Sequence, residues 1–474
     1  MAPRALLALV GAFPPALALQ NGVGLRPAMG YNTWNDLRCE DVSAQAIRSI
    51  ADAMVDLGLA ELGYRYLNVD DCWSHALGPH GKLLEDPTVF PDGDSMAQLV
   101  EYVHGKGLLF GLYGDRGWKT CAFRPGSGGL ERVHAQQFAQ WGIDYLKYDS
   151  CWASSDHQTA FTAYAAMRDA LNQTGRPILY SLCGWNAWYA PRGAELSNSW
   201  RIAADCDEWA NVYVAVRTNE ALASFAAPGA FNDPDMLLGS SSTAPAHLTP
   251  RQVQTQFSLW AVMAAPLLIG SGLRHMPASD LRTYANEEVI AIDQDPLGVQ
   301  GAPVWSNCPA FEPRDNWWNS PWSMPLDVAV MWSQALGTLG VTFISLASVI
   351  GRCSAKPRRA CSSRTWLNLL GLFALSYIGV IWYFRPAVDE CQQVWARPLV
   401  GGERALCFVN FASAERVVTC DAACLRAAGV VGSMSMRDVV EHKDLGMLSA
   451  SEGLSVTLAG DGGSVLYRLT PLSE

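Results

Sequence analysis

From Met29 onward, short apolar runs that end in polar residues alternate with stretches of helical period. The first run, Ala28 to Trp34, is followed by Ile47, Ile50, Ala51 and Met54 at i, i+3, i+4 and i+7, the apolar face of a helix that Gly58 stops. Seven further runs are Tyr64 to Asp71, Leu108 to Asp115, Ile143 to Asp149, Pro177 to Cys183, Trp200 to Asp205, Ala230 to Asp235 and Pro266 to Gly270. They recur at roughly the 30 residues of a βαβ unit. Such alternation predicts parallel strands with crossover helices, and eight of them predict a (β/α)8 TIM barrel over residues 22–298. After Cys391 the period falls to two in Gln393 to Pro398, Ala405 to Phe411, Arg416 to Cys420, Leu454 to Leu458 and Ser464 to Leu469. Turn residues separate these runs, which predicts a C-terminal antiparallel β-sandwich over 391–474, with 299–306 as its first strand.

Five of the barrel runs end on carboxylates: Asp70-Asp71, Asp115, Asp149, Asp205, and Asp233 with Asp235. One such Asp is explained by helix N-capping. Five point to a shared polar site, because the C-terminal strand ends form the active-site face of a TIM barrel. Retaining cleavage of a glycosidic bond needs two carboxyl groups, an ionised nucleophile and a proton donor, held about 5 Å apart on different strands of one rigid mouth. Asp149 follows Lys147 by two residues on the same strand face, so that cation favours its ionised form. Asp205 follows Trp200-Arg201. A metal site calls for His among its ligands, but the eight His are scattered and none joins these strand ends. Carboxylates alone hold Ca²⁺ or Mg²⁺, which the adjacent Lys and Arg oppose. No nucleophile elbow, phosphate-binding loop or dinucleotide fingerprint is present, so neither metal nor cofactor is expected.

The formal net charge is −11 with no basic arm, which argues against nucleic acid and anionic membrane surfaces as partners. Residues 1–18 read as a signal peptide: Arg4, an apolar stretch from Ala5 to Phe13, and the small-residue cleavage site Ala16-Leu17-Ala18. That places the mature chain in the secretory pathway, where its thirteen Cys can pair, at least one being left over. Asn172-Gln173-Thr174 is a glycosylation sequon. Residues 307–390 break the pattern. The segments 328–350 and 366–384 carry no charge and are long enough to span a bilayer, and the stretch between them holds Arg352, Lys356, Arg358, Arg359 and Arg364. A membrane hairpin with its basic loop in the cytosol is self-consistent; the other reading is an insertion foreign to the fold.

Several motifs together resemble one family. Met29-Gly30-Tyr31-Asn32-Thr33-Trp34, Asn68-Val69-Asp70-Asp71-Cys72-Trp73, Gly111-Leu112-Tyr113-Gly114-Asp115, Leu146-Lys147-Tyr148-Asp149-Ser150-Cys151, Ser199-Trp200-Arg201, Asn232-Asp233-Pro234-Asp235-Met236 and Ile292-Asp293-Gln294-Asp295-Pro296-Leu297-Gly298 look like the melibiases, the eukaryotic α-galactosidases and α-N-acetylgalactosaminidases of glycoside hydrolase family twenty-seven. The likeness covers about 22–306 and resumes at 391–474. It implies a barrel with a C-terminal β-sandwich, cofactor-free double displacement, and terminal α-galactosides as substrates. It implies Asp149 as nucleophile and Asp205 as acid/base. Asp70 and Asp71 would bind the C4 and C6 hydroxyls, with Lys147 reaching ring hydroxyls. Trp34 would form the apolar wall, Tyr113 a second aromatic contact, and Arg201, Asp235 and Met236 would complete the pocket. The family's disulfides map onto Cys39–Cys72 and Cys121–Cys151.

Two departures stand out. A third family bridge would start at Cys183, but Ser197 occupies the partner position; Cys206 is the nearest substitute. The family's usual Glu after that Cys, which reads the C2 substituent, is Gly184 here. Trp185, Asn186, Trp188 and Tyr189 on the same loop are bulky enough to fill the vacated volume, and Arg201 remains as a donor. We therefore expect preference for unsubstituted α-galactose, with Trp188 as gatekeeper. An α-N-acetylgalactosaminidase, a β-L-arabinopyranosidase and a non-catalytic, membrane-tethered sugar-binding protein stay open as alternatives. So do a homodimer, and an extracellular, lysosomal or vacuolar location with membrane anchoring only if the hairpin is real.

Overall fold

The computed structural model describes residues 19–313 and 387–472, apart from positions 20, 92, 155, 243 and 245. The signal peptide and the apolar segments 328–350 and 366–384 lie outside the described residues. Among those residues, no helix is long and apolar enough to cross a membrane.

Eight parallel strands form the first sheet: β1 (Met29–Asn32), β2 (Tyr66–Val69), β3 (Leu109–Asp115), β4 (Tyr145–Asp149), β5 (Leu179–Leu182), β6 (Ser199–Arg201), β7 (Phe231–Asp233) and β8 (Leu267–Ile269). Their order is β8-β1-β2-β3-β4-β5-β6-β7. The ring closes just beyond β7, where the Leu237 N–H donates to Leu268 O at 2.8 Å and the Gly270 N–H to Leu237 O at 2.9 Å. The expected TIM barrel is therefore present. Every run singled out by its pattern supplies a strand, and the strands are buried almost throughout, as a parallel sheet covered by helices requires.

Seven crossover helices connect them: α1 (Ala44–Asp56), α2 (Met96–Gly105), α3 (Glu131–Trp141), α4 (His157–Gln173), α5 (Ala190–Leu196), α6 (Trp209–Asn219) and α7 (Pro250–Met263). In α1 the Ser43 side chain caps the N-terminus by accepting from Ala46 N–H; Ile47, Ile50, Ala51 and Met54 are buried, and Gly58 follows at φ 74°. Two short helices, α8 (Ala278–Tyr284) and α9 (Glu287–Asp293), follow β8. Asn172, the sequon residue, is exposed on the last turn of α4.

The C-terminal unit is antiparallel. Its strands are β9 (Ala302–Ser306), β10 (Gln392–Pro398), β11 (Arg404–Asn410), β12 (Arg416–Cys420), β13 (Ser433–Asp438), β14 (Lys443–Ser449), β15 (Leu454–Leu458) and β16 (Gly463–Pro471). A six-stranded sheet, β9-β10-β11-β16-β13-β14, faces the pair β12-β15. The strands β13 and β14 escaped the period-two reading: β14 is mostly exposed, so its sequence carries no inward apolar alternation. α7 is buried on nearly all sides because it packs on β8 and also on β10, β11 and β16. Its Thr249/Gln252 capping box and Pro250 fix where it starts. From β10 the buried Arg397 donates to Ala261 O and Asp293 O, tying the sandwich to the barrel.

β9 and β10 are neighbours despite the long stretch of chain between them, with Ala302 opposite Ala396 and Ser306 opposite Gln393. At the end of this pair Cys308 and Cys391 form a disulfide, and Asn307 exchanges hydrogen bonds with Gln392.

Candidate active site

Sequence places the carboxylates at strand ends; the fold sorts them into different jobs. Asp115 and Asp149 are the last residues of β3 and β4, and Asp233 of β7. Asp70 and Asp71 follow β2 directly. Asp205 lies four residues beyond β6, on the loop before α6, rather than at the end of a strand as its run suggested. Arg201, the last residue of β6, holds the loop: it donates through Nη2 to Asp205 Oδ1 and forms an ion pair through Nη1 with Asp235 Oδ1, both at 2.9 Å.

One cavity at this face is lined by Trp34, Asn35, Asp70, Asp71, Tyr113, Cys121, Lys147, Asp149, Trp185, Asp205 and Met236. Eight of the twelve expected site residues are thus brought together: Trp34, Asp70, Asp71, Tyr113, Lys147, Asp149, Asp205 and Met236. Arg201 and Asp235 stand behind Asp205 as its support. Gly184 and Trp188 do not line the cavity. The Trp188 ring is stacked between His157 and Tyr189, 3.8 Å from each, and has no face left for a ligand, so it cannot be the gatekeeper expected above. At Gly184 an added Cβ would fall 2.0 Å from Cε2 of the buried Tyr189. The tyrosine ring occupies the volume into which a side chain at 184 would grow. Sequence reasoning missed Asn35 as a lining residue and named Trp185 only among the bulky residues of its loop. Asn35 Nδ2 and Trp185 Nε1 are buried donors without a protein acceptor, a feature that only the assembled wall reveals.

Asp70 Oδ2 accepts from Lys147 Nζ and from Asn32 Nδ2, each at 2.8 Å. Asp71 accepts from Cys72 N–H and Ala122 N–H; burial nonetheless raises its carboxyl. Lys147 Nζ lies 5.4 Å from the centroid of the Tyr113 ring, whose hydroxyl donates to Asp149 Oδ2 at 2.9 Å. Asp115 is fully buried, and both its oxygens are taken by backbone, Gly117 N–H at 2.6 Å and Cys151 N–H at 2.9 Å; it braces loops rather than facing the cavity.

The two central carboxyl groups differ in environment. Burial pushes Asp149 up to about 7, against the opposing charge of Lys147 and with help from the nearby Asp205 charge. For Asp205, desolvation by the cavity walls is outweighed by Arg201 and Lys147, which hold it below the usual carboxylate range. Its side chain is 62% exposed, open to the solvent in the cavity mouth, so a charge there stays hydrated. Asp235 is pushed up to about 6 by burial, with Arg201 opposing.

The disulfides Cys39–Cys72 and Cys121–Cys151 are formed and clamp the loops around the strand ends. Cys308–Cys391 and Cys420–Cys424 were not foreseen. Cys183 and Cys206 are both free and buried, so Cys206 does not substitute for the missing third bridge. Asp115, Asp149, Cys121 and Cys151 come within 4.8 Å of one another, but both sulfurs are spent in the disulfide and offer no thiolate to a metal. A second cavity at the opposite end of the barrel, beside Met29, Leu109 and Leu179, has no carboxylate in its lining.

Residues 26–295 match the family described as Alpha galactosidase A, and residues 389–469 the Alpha galactosidase C-terminal beta sandwich domain. Alpha-galactosidase 3 of Arabidopsis thaliana is 42% identical, the aligned region covering 67% of this chain and 71% of that one. An alpha-galactosidase of Oryza sativa subsp. japonica is 39% identical over 67% and 74% of the two chains. Among solved structures, an alpha-galactosidase of Saccharomyces cerevisiae superposes with a TM-score of 0.73 at 24% identity, covering 96% of this chain and all of the other.

Proposed function

The chain belongs to the Alpha galactosidase A family of melibiases, and on that premise we propose that it removes terminal α-linked galactose by double displacement, with Asp149 as nucleophile and Asp205 as acid/base. The observation that carries the reading is the pairing of two carboxyl groups on one cavity, one sealed against Lys147 and Tyr113, the other open at the mouth on an Arg201 tether. Asp205 protonates the glycosidic oxygen as Asp149 attacks the anomeric carbon, and the leaving alcohol departs. Asp205, now a carboxylate, takes a proton from water, whose oxygen attacks the same carbon and frees Asp149. Galactose leaves with its anomeric configuration kept.

The pair works only when it holds one proton. Burial favours the neutral form of Asp149, and the Arg201 charge favours the ionised form of Asp205. Substrate displaces water from Asp205, which raises its affinity for the proton, while positive charge building on the sugar favours ionised Asp149. Titration therefore belongs to the pair and not to either residue alone. Asp70 and Lys147, already bound to each other, present a preorganised donor and acceptor to the hydroxyls of the ring. The unpaired donors of Asn35 and Trp185 cost free energy unless a polar ligand supplies acceptors. Unsubstituted galactose is the preferred sugar, because the Tyr189 ring leaves no void at Gly184 to admit an acetamido group. The four disulfides among the described residues support an oxidising compartment of the secretory pathway.

The test is proton NMR of early product from an aryl α-galactoside, with mass spectrometry of the enzyme after a slow 2-fluoro substrate. First-formed α-galactose and a sugar adduct on Asp149 are expected; β-galactose as first product overturns the mechanism. A lower kcat/KM for aryl α-galactoside than for aryl α-N-acetylgalactosaminide overturns the substrate.

A further inference from the structure

Three aromatic side chains stand in solvent together. Trp118 is 62% exposed, Phe123 61% and Trp152 44%, and every other large hydrophobic side chain so exposed among the described residues is aliphatic or Met. The rings touch: Trp118 and Trp152 centroids lie 5.6 Å apart, Phe123 and Trp152 5.0 Å. Lys119 Nζ lies 5.1 Å from the Trp118 ring and 5.6 Å from the Phe123 ring. Scattered exposed apolar residues need no explanation, but a contiguous cluster does.

The cluster adjoins the galactose cavity. Trp118 and Phe123 sit on the loop after β3, and Trp152 on the loop after β4. The Cys121–Cys151 disulfide joins the two loops, Cys121 lines the cavity, and the Ala122 N–H is a donor to Asp71. Trp152 is three residues from Asp149, within about 11 Å along the chain. Chain packing holds the loops in place: a Cβ at Gly117 would fall 1.9 Å from Cys151 O. Arg116 donates to Ser150 Oγ and Ser154 O.

The backbone is strained at two of the three positions. Phe123 has φ 64° and Trp152 φ 49°, left-handed conformations that bulky side chains rarely adopt. Strain retained beside an active site is a mark of use.

We propose that Trp118, Phe123 and Trp152 form a stacking platform for the sugar attached to galactose, which makes galacto-oligosaccharides the preferred substrate class; this rests on the hydrolase reading above. A hexose presents an apolar C–H face of about the area of one indole, with hydroxyls at its edge. The rings offer apolar faces, and the Lys119 ammonium, which lies over Trp118 and Phe123, offers a donor to the hydroxyls. The leaving group lies outside the galactose cavity, whose wall includes Cys121, two residues from Phe123 and joined to Cys151, the neighbour of Trp152.

The experiment compares Trp152→Asn with Phe123→Asn, because Asn tolerates the left-handed backbone, and measures galactose release from an α-1,6-galactosyl trisaccharide and from α-galactosyl fluoride. For each variant kcat/KM on the trisaccharide should fall about tenfold, mainly through KM, as loss of one ring stack implies. On the fluoride, which has no leaving sugar, it should hold. Equal loss on both substrates, or loss on neither, overturns the platform. Affinity is read separately in Asp149→Asn by tryptophan fluorescence, where the trisaccharide should bind at least about tenfold tighter than galactose and Trp152→Asn should abolish the difference. If the parent fails to hydrolyse even the fluoride while that difference persists, the hydrolase reading falls and the platform stands. Equal affinity for trisaccharide and galactose, or tighter binding of octyl α-galactoside than of trisaccharide, overturns the platform as a sugar site.

Discussion

Replacing the buried central carboxyl group should make the protein more stable as it makes it inactive. Asp149 is 4% exposed, and its carboxyl is pushed from 3.8 to about 7, chiefly by burial. In the unfolded chain it ionises near 3.8. Below that pH both states hold the proton and the group contributes nothing against folding. Between 3.8 and about 7 the unfolded state releases its proton while the folded state keeps it, so stability falls as pH rises. Above about 7 the loss is complete. At about 1.4 kcal/mol per pH unit, the interval corresponds to about 4 kcal/mol as a ceiling, since Asp205 shares the titration. Asp149→Asn never ionises and escapes the penalty. For a chain of this size that corresponds to a rise in apparent Tm on the order of 5 °C, seen at pH 8 and absent at pH 3.5. The assay is differential scanning fluorimetry of parent and variant at one scan rate across that range, alongside turnover of an aryl α-galactoside. A variant that melts with the parent at pH 8, or below it, would refute the claim that this carboxylate is held against its solvation. Retained turnover would refute its role as nucleophile.

For the parent, log kcat/KM should decline with a slope near minus one once pH passes about 7, as the pair loses its single proton, and should fall again on the acid side below the usual carboxylate range; a profile flat to pH 9 would exclude the pair as acid and nucleophile. Gly184→Ala should lose activity and about 1–3 kcal/mol of stability by overpacking, because its Cβ would press on a Tyr189 ring already stacked against Trp188 and edge-on to Tyr164; a neutral effect in urea melts would mean that the ring yields. Trp188→Ala should leave the ratio of kcat/KM for α-galactoside over α-N-acetylgalactosaminide unchanged, since that ring lies off the cavity. Replacing 314–386 by a short flexible linker should give a secreted enzyme with parental kcat/KM, because Cys308–Cys391 and the Asn307–Gln392 bonds already close the end of the β9–β10 pair. The excision is drawn inside 307–390 to spare both cysteines. Aggregation of the shortened chain, while the full chain is active in membranes, would make the removed segment integral.

The barrel was legible before any coordinates because its determinants are local. A buried parallel strand needs an uninterrupted apolar run, and a crossover helix needs an apolar face at period 3.6; both are written in consecutive residues such as Ile47, Ile50, Ala51 and Met54. The carboxylates were legible for a similar reason, because a strand that ends in Asp aims it at the shared mouth. What each carboxylate does was not local. Asp115 and Asp149 end adjacent strands in like sequence, yet one has both oxygens bound by loop N–H groups and the other faces the cavity, and only the arrangement of neighbouring loops separates them. Trp188 was the gatekeeper expected beside C2, and Tyr189 another bulky residue of the same loop. Packing against His157, Phe161 and Tyr164 from α4 turned the first away and placed the second over Gly184. The same holds for Trp118, Phe123 and Trp152, which lie 34 positions apart in the chain at their extremes and meet because the loops that carry them follow adjacent strands and are joined by Cys121–Cys151. Sequence specifies what each segment buries and where polar groups cluster, since those follow from solvation along one element; which side chain meets which follows from the close packing of elements distant in sequence, and that exists only in the folded chain.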